Sequence, residues 1–172
     1  MATRLTGFEI RRFNYDMSSI FRAIVAITAT YGAGLIGSLF ISTDIGSWYE
    51  QLEKPFFMPP DWIFMPVWIV LYGFMSLALY LVWERDEDAK DWHGWVPLYF
   101  AHLVANIGWN VFFFGFHAVF LSLICIVILV YAIVMLIAGA SSVSRFACIL
   151  LLPYLLWVLF AAVLTASIWH LN

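Results

Sequence analysis

Charged residues are confined to a few short segments that separate long apolar stretches. The stretches without Asp, Glu, Lys or Arg are residues 23–43, 62–83, 92–144 and 146–172. A helix needs about 20 apolar residues to cross a hydrocarbon core of about 30 Å. The third stretch is long enough for two crossings, and Gly115-Phe116-His117 is the natural turn near its middle. The pattern therefore predicts five membrane-spanning helices.

These helices predict an all-α integral membrane protein, a single five-helix transmembrane domain over residues 1–172. The predicted spans are residues 20–41, 62–83, 96–115, 118–138 and 146–169. Transmembrane β-strands would alternate apolar and polar residues, whereas these stretches are apolar on every face. Hydrophobic residues make up 65% of the chain and charged residues 11%, so five buried soluble helices would leave almost no polar surface to face water.

The distribution of basic residues predicts the orientation. Seven of the eight Lys and Arg residues lie on the N-terminal side of the predicted membrane, and only Lys54 lies on the other. The seven are Arg4, Arg11, Arg12, Arg22, Arg85, Lys90 and Arg145. Because cytoplasmic loops are enriched in basic residues, we expect a cytoplasmic N-terminus and a C-terminus outside. With no organelle-targeting segment evident, a bacterial cytoplasmic membrane is favoured.

The connection over residues 42–60 differs from the other, shorter loops. It is rich in aromatic residues and prolines without evident secondary structure, and a loop of this length is more often functional than idle. It carries Trp48, Tyr49, Leu52, Lys54, Pro55, Phe56, Phe57, Pro59 and Pro60. Prolines lower the entropy lost on ordering, and aromatic rings supply area to dock on helix ends. We predict a lid.

Polar and aromatic residues form stripes on three predicted spans. The stripes are His102, Asn106, Trp109, Asn110 and Phe113 on the third span, Trp68, Tyr72 and Met75 on the second, and Trp157, Phe160, Ala161, Leu164 and Thr165 on the fifth. Polar side chains within spans face the bundle interior. The stripes either wall a cavity for a large, flat, apolar ligand or pack directly, with Asn106 and Asn110 bonded between helices. Periodicity alone weights the two equally.

Other features are less specific. A lone His102 is compatible with haem ligation or proton relay, but a hydrogen-bonded interior histidine is favoured. The spans carry no paired carboxylates, phosphate loop or metal-ligand spacing, so we expect no metal site and no hydrolytic chemistry. Two pairs of small residues, Ala33 with Gly37 and Ala101 with Ala105, allow close helix contact within the bundle or across a dimer. Tryptophans near span ends, among them Trp62, Trp83, Trp95 and Trp169, are typical of membrane anchors.

The loop and the second span resemble the tryptophan-rich sensory protein family, TspO, whose mitochondrial member is the translocator protein or peripheral-type benzodiazepine receptor. The residues that carry the resemblance are Trp48-Tyr49, Leu52, Lys54-Pro55, Pro59-Pro60, Trp62, Pro66, Trp68 and Leu71-Tyr72. Further matches are Asn106, Trp109 and Phe113-Phe114-Gly115, then Pro153-Tyr154-Leu155, Trp157, Phe160 and Leu164. Order and spacing agree over about residues 48–164.

The resemblance implies frequent dimers and binding of porphyrins such as protoporphyrin IX, of haem, of sterols in some members, and of benzodiazepine-site drugs. Carried over by position, the ligand pocket comprises Tyr49, Pro59, Trp68, His102, Asn106, Trp109, Trp157, Phe160, Ala161 and Leu164. His102 stands where the family usually has Gln or Asn, and Thr165 where it usually has Asn. The sterol-recognition segment of animal members is absent from residues 166–172, so a sterol partner gains little support.

The function expected from the residues and the resemblance together is non-enzymatic binding of tetrapyrroles in their sensing, sequestration or transport. An alternative is light- and oxygen-dependent porphyrin breakdown, which some family members are assigned and in which Trp68 would take part. A structural or partner-regulating membrane subunit is a third. We expect the lipid bilayer, porphyrin or haem, and a second copy of the chain as partners, but neither nucleic acid nor a required cofactor.

Overall fold

The computed structural model describes residues 6–44, 48–85 and 94–172, and every long element in these ranges is a helix. The elements are α1 (Thr6–Asp44), α2 (Trp48–Gln51), a 3-10 turn (Asp61–Ile63), α3 (Phe64–Arg85), α4 (Trp95–Asn110), a π-helical turn (Val111–Gly115), α5 (Val119–Val143) and α6 (Arg145–Leu171). Five helices, α1 and α3 to α6, are long and apolar enough to cross a membrane. The predicted fold class is confirmed: the chain is an integral membrane protein.

The membrane-spanning segments extend beyond several of the predicted limits. They are Met17–Ile41, Asp61–Arg85, Trp95–Gly115, Val119–Val143 and Arg145–Leu171. The fourth continues five residues past the predicted end at residue 138 (143 against 138). The hydroxyls of Ser141 and Ser142 donate to the carbonyls of Ala138 and Gly139 at 2.6 and 2.9 Å. Serines bonded in this way are tolerated in a helix, so the polar residues do not end it.

The five long helices pack as a bundle in which α1 approaches its neighbours closely. Helix α5 packs on α4 and α6, α1 packs on α3 and α4, and α3 packs on α6. A Cβ atom added to Gly34 would lie 2.3 Å from the Tyr72 ring on α3, and one added to Gly37 would lie 3.1 Å from the Asn110 amide on α4. The pair Ala33 and Gly37 is therefore buried inside the bundle. Dimerisation stays a prediction.

The turn between α4 and α5 lies where the sequence predicts it. After the π-helical turn, the backbone N–H of Ala118 donates to the Phe112 carbonyl at 2.8 Å, and His117 adopts a φ of 54°. A Cβ on Gly115 would approach the Phe40 ring to 2.9 Å, so the turn and α1 can meet closely only with glycine there. This brings α1 to the end of the bundle where the loop lies, here called the loop end.

The structure corrects three expectations, two about the loop and one about a membrane anchor. The loop contains the short helix α2, although residues 45–47 lie outside the described ranges. Phe56 does not dock, since its side chain is 100% exposed. Trp95 is not an anchor at the membrane surface: it is fully buried, and its Nε1 donates to the Leu136 carbonyl at 2.8 Å. An indole can occupy a core where its N–H finds an acceptor.

Basic side chains hold the opposite end of the bundle together. Arg22 on α1 lies 3.6 Å from the Glu84 carboxylate on α3, and it donates to the Trp83 carbonyl at 3.3 Å. Arg85 donates to the last carbonyl of α5, that of Val143, at 3.3 Å. Two of the residues that predicted the orientation, Arg4 and Lys90, lie outside the described ranges. The orientation stays a prediction.

Candidate functional site

A layer of polar side chains joins three helices in the middle of the bundle. Asn106 on α4 is fully buried and uses both ends of its amide. It accepts from the Tyr72 hydroxyl of α3 at 3.4 Å and donates to the Tyr154 hydroxyl of α6 at 3.2 Å. Asn110 donates to the Asn106 carbonyl at 3.1 Å, so it bonds within α4 and not between helices. One of the two expected interhelical asparagine contacts is therefore present.

Aromatic rings surround this layer. Trp68 on α3 lies 5.2 Å from Tyr72, 6.4 Å from Trp109 on α4 and 6.2 Å from Tyr154 on α6, measured between ring centroids. The Trp109 indole donates to the Thr165 hydroxyl at 3.4 Å, which ties α4 to α6. Offset and edge-on arrangements at these distances are favourable for aromatic pairs. The predicted stripes of the second, third and fifth spans therefore face one another.

A second aromatic group lies nearer the loop on α6. Measured between ring centroids, Trp157 lies 5.6 Å from Phe64 of α3 and 5.7 Å from Phe160. The Phe160 ring in turn lies 6.5 Å from that of Phe57 in the loop. The Trp157 Nε1 is buried and forms no hydrogen bond with the described residues. On the same helix, Ala161 and Leu164 are buried at 3% and 4% exposure. This part of the site holds an indole N–H that lacks an acceptor.

His102 is the predicted site residue on α4 that lies farthest along the helix from the loop end. It is fully buried, and its Nδ1 contacts the carbonyl oxygen of Tyr99, one turn earlier. The Tyr99 hydroxyl in turn pairs with the Thr30 hydroxyl of α1 at 2.8 Å. The other ring nitrogen of His102, Nε2, has no partner among the described residues. A buried acceptor left unpaired costs about 1–3 kcal/mol, so the nitrogen needs an explanation.

Tyr49 lies in a separate cluster over the loop end of α4 and α6. Its ring packs 6.3 Å from Phe113 and 5.5 Å from Phe114, near Ile168, and the Lys54 ammonium lies 4.0 Å from its centroid. Burial, and secondarily the charge of Asp61, raise the pKa of the Tyr49 hydroxyl to about 12. The hydroxyl is therefore neutral at physiological pH.

The rest of the loop is held by the last residue of the chain. The Asn172 amide accepts from the Glu53 N–H at 3.0 Å and donates to the Glu53 carbonyl at 3.1 Å. Pro59 is half-buried in the same segment. The loop is thus attached to the helices at Tyr49 and at Glu53.

A depression of about 630 Å³ opens at the loop end. Its lining includes Trp48, His117, Trp169 and His170, and it contains none of the ten predicted site residues. Trp48 stacks on His117 at 4.3 Å within it. Of the predicted residues on α3, α4 and α6, Trp68 packs near Trp109 and Trp157 near Phe160. A space for a ligand among these residues stays a prediction.

Two tyrosines that the sequence did not place in the pocket take part in the site. Tyr154 completes the polar layer, and Tyr99 holds His102. Both could have been found from helical spacing: Tyr154 lies three residues before Trp157, and Tyr99 lies three before His102. The Tyr154 hydroxyl bonds the Asn106 amide, whereas Tyr99 contacts His102 through its backbone carbonyl, a group that no side-chain pattern reveals.

Comparison with known proteins places this arrangement in a family. A family model described as the TspO/MBR family matches residues 24–170. The chain is 35% identical to the tryptophan-rich protein TspO of Archaeoglobus fulgidus over 158 residues, 90% of this chain and 99% of that protein. It is 38% identical to the protein of the same name from Chlorobaculum tepidum, covering 81% and 88%. It is 33% identical to the translocator protein of Homo sapiens, covering 80% and 82%.

Proposed function

The chain belongs to the TspO/MBR family, and from this premise we propose that it binds tetrapyrroles and similar flat hydrophobic ligands within the membrane. The observation that carries the proposal is the ring of aromatic side chains from α3, α4 and α6 around the polar layer at Asn106. Flat indole faces match a flat macrocycle, and burial of that macrocycle supplies most of the affinity.

The polar atoms of the site support a ligand with an apolar body and polar edges. The Trp157 N–H is buried without an acceptor, so it can donate to a carboxylate or carbonyl at the ligand's edge. Asn106, with its amide already oriented by Tyr72 and Tyr154, provides both a donor and an acceptor deeper inside. Protoporphyrin IX combines these properties, because carboxylates lie at one edge of its apolar ring.

The loop fits the role of a cover in this proposal. Phe57 contacts Phe160 at 6.5 Å, so the loop adjoins the aromatic group that contains Trp157. Its attachments at Tyr49 and Glu53 can loosen without unfolding the helices, since one is a ring contact and the other a pair of exposed hydrogen bonds. We propose that the loop opens to admit the ligand and closes to exclude water.

The biological role that we propose is sensing, sequestration or transport of tetrapyrroles in a bacterial cytoplasmic membrane, with the N-terminus cytoplasmic and the chain paired as a homodimer. Drug-like ligands of the benzodiazepine site would compete for the same pocket. The catalytic alternative is porphyrin breakdown that depends on light and oxygen, in which Trp68 would take part.

Titration of protoporphyrin IX into the protein in detergent tests the proposal. We expect saturable quenching of tryptophan emission, because the macrocycle lies against Trp68, Trp109 and Trp157. Trp68→Ala and Trp157→Ala should each weaken binding. Trp62→Ala is the matched control, since Trp62 is 73% exposed and lies outside the predicted pocket.

The outcomes separate the proposal from its alternatives. The proposal is supported if binding is saturable, if the two pocket variants weaken it, and if Trp62→Ala leaves it unchanged. Quenching that rises without saturation, or that all three variants affect equally, contradicts a specific pocket and favours the role of a structural subunit. Faster loss of porphyrin absorbance under light with wild type than with Trp68→Phe would instead support the catalytic alternative.

A further inference from the structure

The depression at the loop end is built from four separate segments of the chain. Its lining includes Trp48 from α2, His117 from the turn before α5, Phe120 from the first turn of α5 and Trp169 from the last turn of α6. Its volume of about 630 Å³ lies within the range of about 300–1,000 Å³ that is usual for small-molecule sites. None of the residues predicted for the tetrapyrrole pocket lines it. The depression is therefore a second concavity, distinct from that pocket.

Two pairs of aromatic rings line the depression. The Trp48 indole stacks on the His117 imidazole, with 4.3 Å between centroids and 14° between planes. The rings of Phe120 and Trp169 lie 5.4 Å apart. These two side chains are 51% and 50% exposed, so the protein leaves much of their ring surface uncovered. A role as membrane anchor accounts for Trp169 alone, whereas four rings from four segments around one concavity indicate a binding site.

The charge at the rim of the depression is negative. Among the described residues, its lining contains no Asp, Glu, Lys or Arg. The backbone of Glu53 forms two hydrogen bonds with the side chain of Asn172, which lines the depression. Glu50 lies two residues after Trp48, and both glutamates are exposed. The two carboxylates attract a cation to the depression and repel an anion.

The helix ends at the depression do not reverse this sign. The N-terminus of a helix carries a partial charge of about +0.5 and the C-terminus about −0.5. The first turn of α5 and the last turn of α6 both line the depression, so their partial charges largely offset each other. The full charges of Glu50 and Glu53 therefore decide the sign of the ligand.

The loop itself shows an ammonium held on an aromatic ring at this end of the bundle. The Lys54 ammonium lies 4.0 Å from the centroid of the Tyr49 ring, and Tyr49 is the neighbour of Trp48 in the chain. The negative face of an aromatic ring attracts a cation at such a distance. Lys54 is the one basic residue of the loop over residues 42–60, and it does not line the depression. The rings of the depression are thus left for a cation from outside the chain.

We propose that the depression is a second binding site, which takes a free organic cation with an apolar body, of the quaternary ammonium or phosphonium class. The rings supply apolar contact and attraction to the cation, and the two carboxylates at the rim supply selectivity for positive charge. This site does not depend on the proposed function. Its ligand has the opposite charge to a porphyrin carboxylate, and its residues are different.

Equilibrium dialysis of the full chain in a non-ionic detergent tests the proposal with tetraphenylphosphonium and tetraphenylborate. The two ions share a shape and differ in the sign of their charge. The measurement is made at pH 8, above the ordinary titration range of histidine, and uptake by protein-free micelles is subtracted. Tetraphenylphosphonium should bind saturably and at least about fivefold more tightly than tetraphenylborate. Added salt should reduce this preference, because it screens exposed carboxylates.

Matched variants locate the cation. Trp169→Leu and Phe120→Leu each remove a ring but keep an apolar side chain, and each should weaken binding of tetraphenylphosphonium about threefold or more. Trp62→Leu and Phe146→Leu are the controls, because these rings are 73% and 55% exposed and do not line the depression. Both controls should bind the cation as wild type does.

Removal of the rim charges separates recognition of charge from adsorption of an apolar body. The double variant Glu50→Gln/Glu53→Gln keeps the backbone bonds between residue 53 and Asn172, since they do not involve the carboxylate. It should bring the affinities of the two ions close together. An unchanged preference for the cation in this variant would contradict the role of the carboxylates.

The remaining outcomes also decide the proposal. Uptake that rises without saturation, equal affinities for the two ions in wild type, or equal effects of the ring variants and their controls would overturn it. Displacement of the cation by added phosphatidylcholine would assign the depression to a lipid head group instead. Trp157→Ala should leave cation binding unchanged, and a loss there would place the cation in the tetrapyrrole pocket. Failure of protoporphyrin IX to bind would overturn the proposed function alone.

Discussion

Replacing Gly34 with alanine tests the packing that orients the site. A Cβ at this position would lie 2.3 Å from Cε2 and 2.7 Å from Cζ of Tyr72. The Tyr72 ring cannot simply swing away, since it is buried, stacks on Trp68 at 5.2 Å and donates to Asn106. Gly34→Ala must therefore separate α1 from α3 or displace Tyr72 from the polar layer.

The magnitude follows from the contacts that are lost. Overpacking a tight interior costs about 1–3 kcal/mol, and an interhelical hydrogen bond in a membrane contributes about 0.6 kcal/mol. Gly32→Ala is the matched control, because nothing lies within 4 Å of its added Cβ. Both variants gain the same helix propensity, about 0.8–1 kcal/mol, so their difference isolates the clash. We expect Gly34→Ala to be less stable than Gly32→Ala by roughly 1.5–3.5 kcal/mol.

Thermal unfolding in detergent, followed by tryptophan emission, measures this difference. For a chain of this length 1 kcal/mol corresponds to about 2–4 °C, so the two midpoints should differ by at least about 3 °C. Adding Tyr72→Leu to Gly34→Ala should recover part of the loss, because it removes the ring atoms that clash. Equal midpoints for the two glycine variants, or no recovery in the double variant, would refute the reasoning about the contact between α1 and α3.

Two further predictions concern the loop. Because the pKa of Tyr49 is raised from 10.0 to about 12, the folded state holds the proton more tightly than the unfolded state, and loop docking should weaken as pH rises from 10 to 12. Hydrogen exchange of residues 52–58 should report this change in wild type and not in Tyr49→Phe, and the same pH dependence in both proteins would contradict it. Asn172→Ala removes both bonds to Glu53, so exchange in that segment should accelerate at neutral pH while α4 stays protected; unchanged exchange would show that these bonds do not hold the loop.

The fold was predictable because it follows from where charge is absent. Length and hydropathy sufficed for five spans. Trp68 and Trp109, which helical spacing assigned to stripes on two different spans, lie 6.4 Å apart between ring centroids. Periodicity gives the face of a helix but not its depth or its rotation against a neighbour. The sequence does not distinguish Gly34 from other small residues, because the close approach of the Tyr72 ring depends on how α1 and α3 pack.

The less predictable features depend on single hydrogen bonds. Trp95 had the position of a membrane anchor, yet a carbonyl on α5 accepts from its indole and makes it a core residue. The free nitrogen of His102 is visible only once the contact of its Nδ1 with Tyr99 is known. Such hydrogen bonds join residues far apart in sequence or depend on how a ring is rotated. A hydropathy pattern contains no information about either.

A structure of the protein with protoporphyrin IX bound tests the central claim most directly. We predict the macrocycle beneath the loop, between the indoles of Trp68, Trp109 and Trp157, with a carboxylate near the Trp157 N–H. A macrocycle found instead in the depression lined by Trp48 and Trp169, with the rings of α3, α4 and α6 still in mutual contact, would contradict the account.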